Sequence, residues 1–268
     1  LFPYTTLFRS DEDIDWKLVI FLIISVTLSF SAVAVIVTLA VKDKSKRGAL
    51  IQGICRSNFA ILGVPLAVNM FGDVGGQAIA IAMPFVIVMF NSYSVVILSL
   101  FSESKDEKMS GKKLLGILKN VVTNPLIIGV LLGIVVMLSG IKLPQFATKT
   151  LSYLSGLTTP LALLSLGANF KIESLHGRVG YAIVGSLGKT AVLPIIAVTV
   201  AVLVGLRGPS LGVVFICFGA PTAVSSYIMA KKMDNDHELA AQILLLSTFV
   251  CVFTIFIGIF TLKTLMLI

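Results

Sequence analysis

The chain has 268 residues, 57% of them hydrophobic and only 13% charged, with a mean hydropathy of +1.02 and a formal charge of +8. Soluble domains carry about 25% charged residues, so the composition excludes a water-soluble globular fold. The apolar runs are continuous rather than alternating, which favours helices over a β-barrel; the basic excess sits in short loops rather than on a solvated face, which argues against a nucleic-acid partner.

Residues 1–10, Leu-Phe-Pro-Tyr-Thr-Thr-Leu-Phe-Arg-Ser, are what CTC TTT CCC TAC ACG ACG CTC TTC CGA TCT encodes, a common sequencing-adapter string. They are expected to be foreign to the protein, with its natural start upstream, and they lack the ordered basic, apolar and cleavage regions of a signal peptide.

A transmembrane helix needs about 20 apolar residues. Such runs fall at roughly 16–41, 50–71, 77–101, 120–140, 146–169, 179–204, 210–230 and 239–264. Residues 102–119 are expected to form a charged cytoplasmic loop, and the segment 114–122 an amphipathic stretch at the interface before a helix opening at Asn124-Pro125. With loops assigned to alternating sides, thirteen basic residues fall on one side, including Lys42, Lys44, Lys46 and Arg47, and five on the other. The basic side is expected in the cytoplasm and the C-terminus outside.

Two spans carry similar interruptions, Gly63-Val64-Pro65-Leu66-Ala67-Val68 and Gly219-Ala220-Pro221-Thr222-Ala223-Val224. Paired interrupted helices in corresponding places point to a secondary transporter's binding site. The spans 16–41, 50–71 and 77–101 match 179–204, 210–230 and 239–264 in order, but start on opposite sides, which is an inverted repeat. Two further spans precede the second trio; symmetry therefore predicts two absent helices, about 60 residues, before the first. Aligning Pro65 with Pro221 gives an offset of 156, whereas aligning Asp73 with Asp236 gives 163 and brings Asn58 near Thr222.

Arg56-Ser57-Asn58 with Gly63-Val64-Pro65-Leu66, Asn124-Pro125-Leu126, Thr159-Pro160-Leu161-Ala162-Leu163-Leu164 with Gly167-Ala168, Lys189 before Leu193-Pro194, and Ala220-Pro221-Thr222-Ala223-Val224-Ser225-Ser226 with Ala230 resemble the auxin efflux carrier family, its prokaryotic members most. The resemblance runs from residue 16 onward. It implies an all-α polytopic membrane protein, a 5+5 inverted-repeat secondary transporter with crossed broken helices, of which residues 11–101 hold helices three to five and 120–268 helices six to ten, eight of the ten. It further implies elevator-type carriage of organic anions such as malate or malonate, or auxin-like carboxylates, in the plasma membrane, by a homodimer when full-length.

In such a broken helix, unpaired N–H groups open the second half and suit an anion, while freed carbonyls suit a cation. The helix-crossover residues are expected to be Gly63, Pro65, Gly219 and Pro221. The resemblance favours the 163 offset and makes Asn58 and Thr222 the pair that meets a carboxylate; Ser225 and Ser226 share a helical face with Thr222, unless they bond back to their own helix. Lys189, near mid-bilayer, could snorkel, balance an anionic substrate or stand in for a sodium ion. Arg56, six residues past Leu50, is read as snorkelling to the cytoplasmic face.

No Asp or Glu lies inside any span. A coupling proton then needs a group in the absent helices or Lys189; coupling to sodium, or uncoupled transport driven by the membrane potential, stays open. A sodium-coupled carrier related to the bile acid symporters, or an anion channel, is the alternative. An enzyme is disfavoured: Gly72-Asp73 lacks a second intramembrane aspartate, His176 and His237 lack a paired nucleophile, and Cys55, Cys217 and Cys251 lack metal or redox spacing. No cofactor or metal is implied.

Overall fold

The computed structural model describes residues 15–102, 144–169 and 178–268, together with a few isolated positions between 123 and 139. The span expected at 120–140 and its interfacial approach lie largely outside the described residues. Everything assigned to a regular element is helical.

Helix α1, Trp16–Ala40, starts where the Asp15 carboxylate accepts from the Leu18 N–H at 3.0 Å. Leu18, Leu22, Val26, Phe30, Val33 and Val37 bury one stripe, while Ile20, Ile24, Leu28, Val35, Ile36 and Leu39 stand exposed on the other. A helix apolar on both its packed and its open face belongs in lipid.

Helix α2, Lys44–Cys55, is capped by Asp43, whose side chain accepts from the Ser45 N–H at 3.1 Å; bonds from Lys46 and Ser45 hold its carboxyl below the usual range. The chain is then non-helical from Arg56 to Asn58 and resumes as α3, Phe59–Leu100. Helix α3 folds back at Gly72, whose φ of 63° and ψ of −144° only glycine adopts readily. The fold-back is tight: a Cβ on Gly63 would meet Ile79, and one on Gly75 would meet the Ala67 carbonyl oxygen. Residues 59–71 and 73–100 are thus two antiparallel limbs.

Gln145–Asn169 form α4. The next span joins α5, Val179–Leu187, through a π turn at Gly188–Val192 to α6, Leu193–Leu203. Pro194 has no N–H to return to its own helix, and the wider turn is closed instead by Leu193 N–H bonding the Gly188 carbonyl. Helix α7, Gly208–Gly219, ends at a second non-helical stretch, Ala220–Val224; α8, Ser225–Lys232, follows, then α9, His237–Thr264, capped by Asp236 through the Leu239 N–H at 2.9 Å. The outer face of α9 exposes Phe249, Phe253, Phe256 and Phe260. Four helical stretches among the described residues are long and apolar enough to span a bilayer, one of them the double length Lys44–Leu100.

The two interrupted helices run in opposite directions. At the beginning of α2, Ser45 accepts from the Asp236 N–H at 3.4 Å and Gly48 abuts Asn235, so α2 starts where the α7–α8 pair finishes. At the beginning of α7, Gly212 abuts Phe71 and Ser210 donates to Asp15 at 2.6 Å, so α7 starts where the first limb of α3 finishes. Packing repeats accordingly: α1 lies on α2 and α3, and α5–α6 lies on α7 and α9.

Candidate functional site: two crossed helix breaks

The breaks meet. The Asn58 N–H donates to the Pro221 carbonyl at 2.7 Å, the Thr222 hydroxyl to the Gly53 carbonyl at 2.6 Å, and the Ser57 hydroxyl makes a long contact of 3.5 Å with the Ala220 carbonyl. Each bond satisfies a group that the interruption orphans. In an unbroken helix Gly53 would accept from the Ser57 N–H, four residues on; Thr222 replaces that donor from the other break.

The sequence reading placed the first break at Gly63–Pro65, and the structure corrects it. Gly63 and Pro65 lie inside the first limb of α3, and the crossing is formed by Arg56, Ser57 and Asn58 instead. A proline removes only its own donor, and a membrane helix absorbs that loss; the true break is held open by Ala220, Pro221 and Thr222 of the other break. Gly63 acts as a close-packing position, with Ile79 and Ile216 against it. On the other side Gly219 ends α7 and Pro221 lies within the break.

Lys189 is fully buried, and its ammonium donates to the Phe218 carbonyl at 2.9 Å. That carbonyl would pair with the Thr222 N–H in a continuous helix, but here the Thr222 N–H donates to the Ser247 hydroxyl at 3.2 Å. The π turn therefore delivers a cation to the negative end of the α7 half-helix. A snorkelling lysine would reach for water; this one does not.

Arg56 is also corrected. Only 5% exposed, it donates to the Met229 sulfur, to Asn91 Oδ1 at 2.7 Å and to Ser225 Oγ at 2.8 Å, instead of snorkelling. Its depth was misjudged because α2 begins at Lys44, not Leu50, which places Arg56 about 18 Å from the helix start. Asn91 was missed altogether, since one amide in an apolar run gives no sequence signal.

Ser225 and Ser226 do not bond back to their helix: Ser225 accepts from Arg56, and the Ser226 hydroxyl is buried without a partner among the described residues. Asn58 caps α3 with its backbone only; its half-exposed side chain makes no cap bond. The structure thus gathers Arg56, Asn58, Thr222 and Ser225 at the crossing, with Lys189 bonded to Phe218 in the last turn of α7.

Crossed, oppositely directed broken helices within an apolar-faced helical body define a polytopic membrane protein of inverted build. The chain belongs to the membrane transport protein family, the auxin efflux carrier family of the resemblance above, which it matches over residues 6–259. It is similar to an uncharacterized transporter of Methanocaldococcus jannaschii, 29% identical over 213 residues, and to an uncharacterized transporter of Methanothermobacter thermautotrophicus, 25% identical over 206 residues. Each match covers 77% of this chain and 65% of the relative, so the chain spans about two thirds of their length.

Proposed function

We propose that this protein carries a small organic anion, a dicarboxylate such as malate or malonate or an auxin-like carboxylate, by elevator-type movement of the crossed-helix body. One observation carries the reading: a buried guanidinium and the openings of two half-helices converge where no carboxylate is within bonding reach among the described residues. Half-helix N–H groups and an uncompensated cation favour an anion. Asn58, Ser225 and Ser226 offer neutral donors, Thr222 braces the crossing, and Lys189 supplies fixed charge from within the body. Transport, not catalysis, is the activity this chemistry serves. The full-length protein is proposed to act as a homodimer in the plasma membrane with the C-terminus outside, with a proton or a sodium ion as candidate coupling ions.

The test is uptake of labelled malate and malonate by the full-length protein in liposomes under an imposed potential. Saturable uptake, competed by other carboxylates and not by their amides, supports the proposal; transport of neutral or cationic solutes with indifference to carboxylates overturns it.

A further inference from the structure

Among the described residues Arg56 has no counter-charge. Its three hydrogen-bond partners among the described residues are all neutral, and one, the Met229 thioether, is a weak acceptor for a guanidinium. Burying an unpaired cation in a membrane is costly, and a protein needing Arg56 only as a brace could have given it an aspartate. Position 91 instead holds the amide isostere of aspartate, 2.7 Å from the guanidinium.

Two further observations point to a missing acceptor or donor partner. The Ser94 hydroxyl, one helical turn from Asn91 and so on the same face, is buried and unpartnered among the described residues; the Ser226 hydroxyl, beside Ser225, is likewise. Unmade hydrogen bonds of buried polar groups are uncommon and call for an explanation.

Building on the proposed anion carriage, we infer that Arg56 is the specificity-determining cation of the site, its guanidinium fork receiving the substrate's carboxylate in place of the Met229 sulfur. A planar carboxylate can take two parallel N–H bonds from a guanidinium, which a lysine cannot supply. The neutral tethers to Asn91 and Ser225 hold the fork ready in the empty carrier without competing as strongly as a fixed carboxylate would. Loading then pairs one substrate carboxylate with Arg56, and release restores one uncompensated positive charge to the crossing.

The experiment uses the full-length protein with malate, malonate and malate diamide as probes, reading both thermal stability in detergent and uptake in liposomes. Asn91→Asp is the decisive variant because it preserves shape and supplies Arg56 with a permanent counter-ion. It is expected to raise the melting temperature while weakening stabilisation by malate at least about tenfold, equivalent to about 1.4 kcal/mol; Arg56→Lys is expected to lose a similar factor, and the diamide to stabilise neither. Asn91→Asp and Arg56→Lys variants that keep the wild-type affinity and KM for malate overturn the role of Arg56 and leave anion carriage standing. A wild type that transports neutral solutes but no organic anion overturns both.

Discussion

The Asn58 N–H and the Pro221 carbonyl, 163 residues apart in sequence, share a 2.7 Å hydrogen bond at the centre of the fold. The first donor of one half-helix is thereby paired with a carbonyl freed by the other break. Neither interruption is stable alone, since each leaves backbone groups in an environment with no water to satisfy them.

Thr222 gives the most direct test of this reciprocity. Thr222→Val keeps the shape but strips the donor from the Gly53 carbonyl, 2.6 Å away at a fully buried site. Interhelical side-chain bonds in membranes average about 0.6 kcal/mol and reach about 1.7; a loss near the upper end, about 1.5 kcal/mol, is expected because the carbonyl has no helical partner. Thr222→Ser should lose less than half as much. Denaturation in mixed micelles measures both, and equal losses would show that the methyl group, not the hydroxyl, matters.

Lys189 separates fold from binding. Its ammonium is committed to the Phe218 carbonyl, so Lys189→Met should lower the melting temperature and the transport rate, while the KM for malate rises less than threefold in whatever fraction stays folded. A tenfold rise in KM with unchanged stability would instead show the ammonium meeting the substrate.

The fold-back of α3 makes an unequal pair of predictions. An alanine Cβ at Gly75 would collide with the Ala67 backbone oxygen, which has no rotamer to yield, whereas one at Gly76 would meet only Val68 Cγ2 at 3.1 Å. Gly75→Ala is expected to destabilise by about 2 kcal/mol, within the usual overpacking range, and Gly76→Ala by well under half of that. Thermal unfolding of the two variants in detergent checks the order.

Much of the fold was legible in the chain because membrane helices must be long and apolar. The spans beginning at 16, 179 and 239 agree with α1, α5–α6 and α9 to within a few residues. The second break was legible because Pro221 lies in it. The first was not: Arg56-Ser57-Asn58 contains neither proline nor glycine, and what opens the helix there is the opposing break, a contact invisible to any local pattern. Pro65 drew attention as the obvious breaker and turned out to be absorbed by its helix. The 163 offset nevertheless aligns Asn58 with Pro221, whose backbones share the hydrogen bond. Arg56 was misread for a similar reason: depth was counted from the first apolar residue, while the polar turn Lys44–Arg47 is already helical.

Asn58 distinguishes a structural cap from a substrate contact. Its side chain caps nothing at present, and the N–H groups of Phe59, Ala60 and Ile61 have no preceding turn of their own helix to bond. Asn58→Asp should therefore leave stability unchanged or raise it by up to about 1 kcal/mol, since a carboxylate suits a helix N-terminus. The same negative charge would occupy and repel the place where a substrate carboxylate binds, so malate uptake by the full-length protein should fall at least about tenfold, a loss of about 1.4 kcal/mol. Asn58→Ala should show an intermediate loss in KM with little change in stability. Opposite signs for stability and transport in the aspartate variant are the expected signature; uptake at wild-type KM by Asn58→Asp would place the anion elsewhere than at the opening of α3.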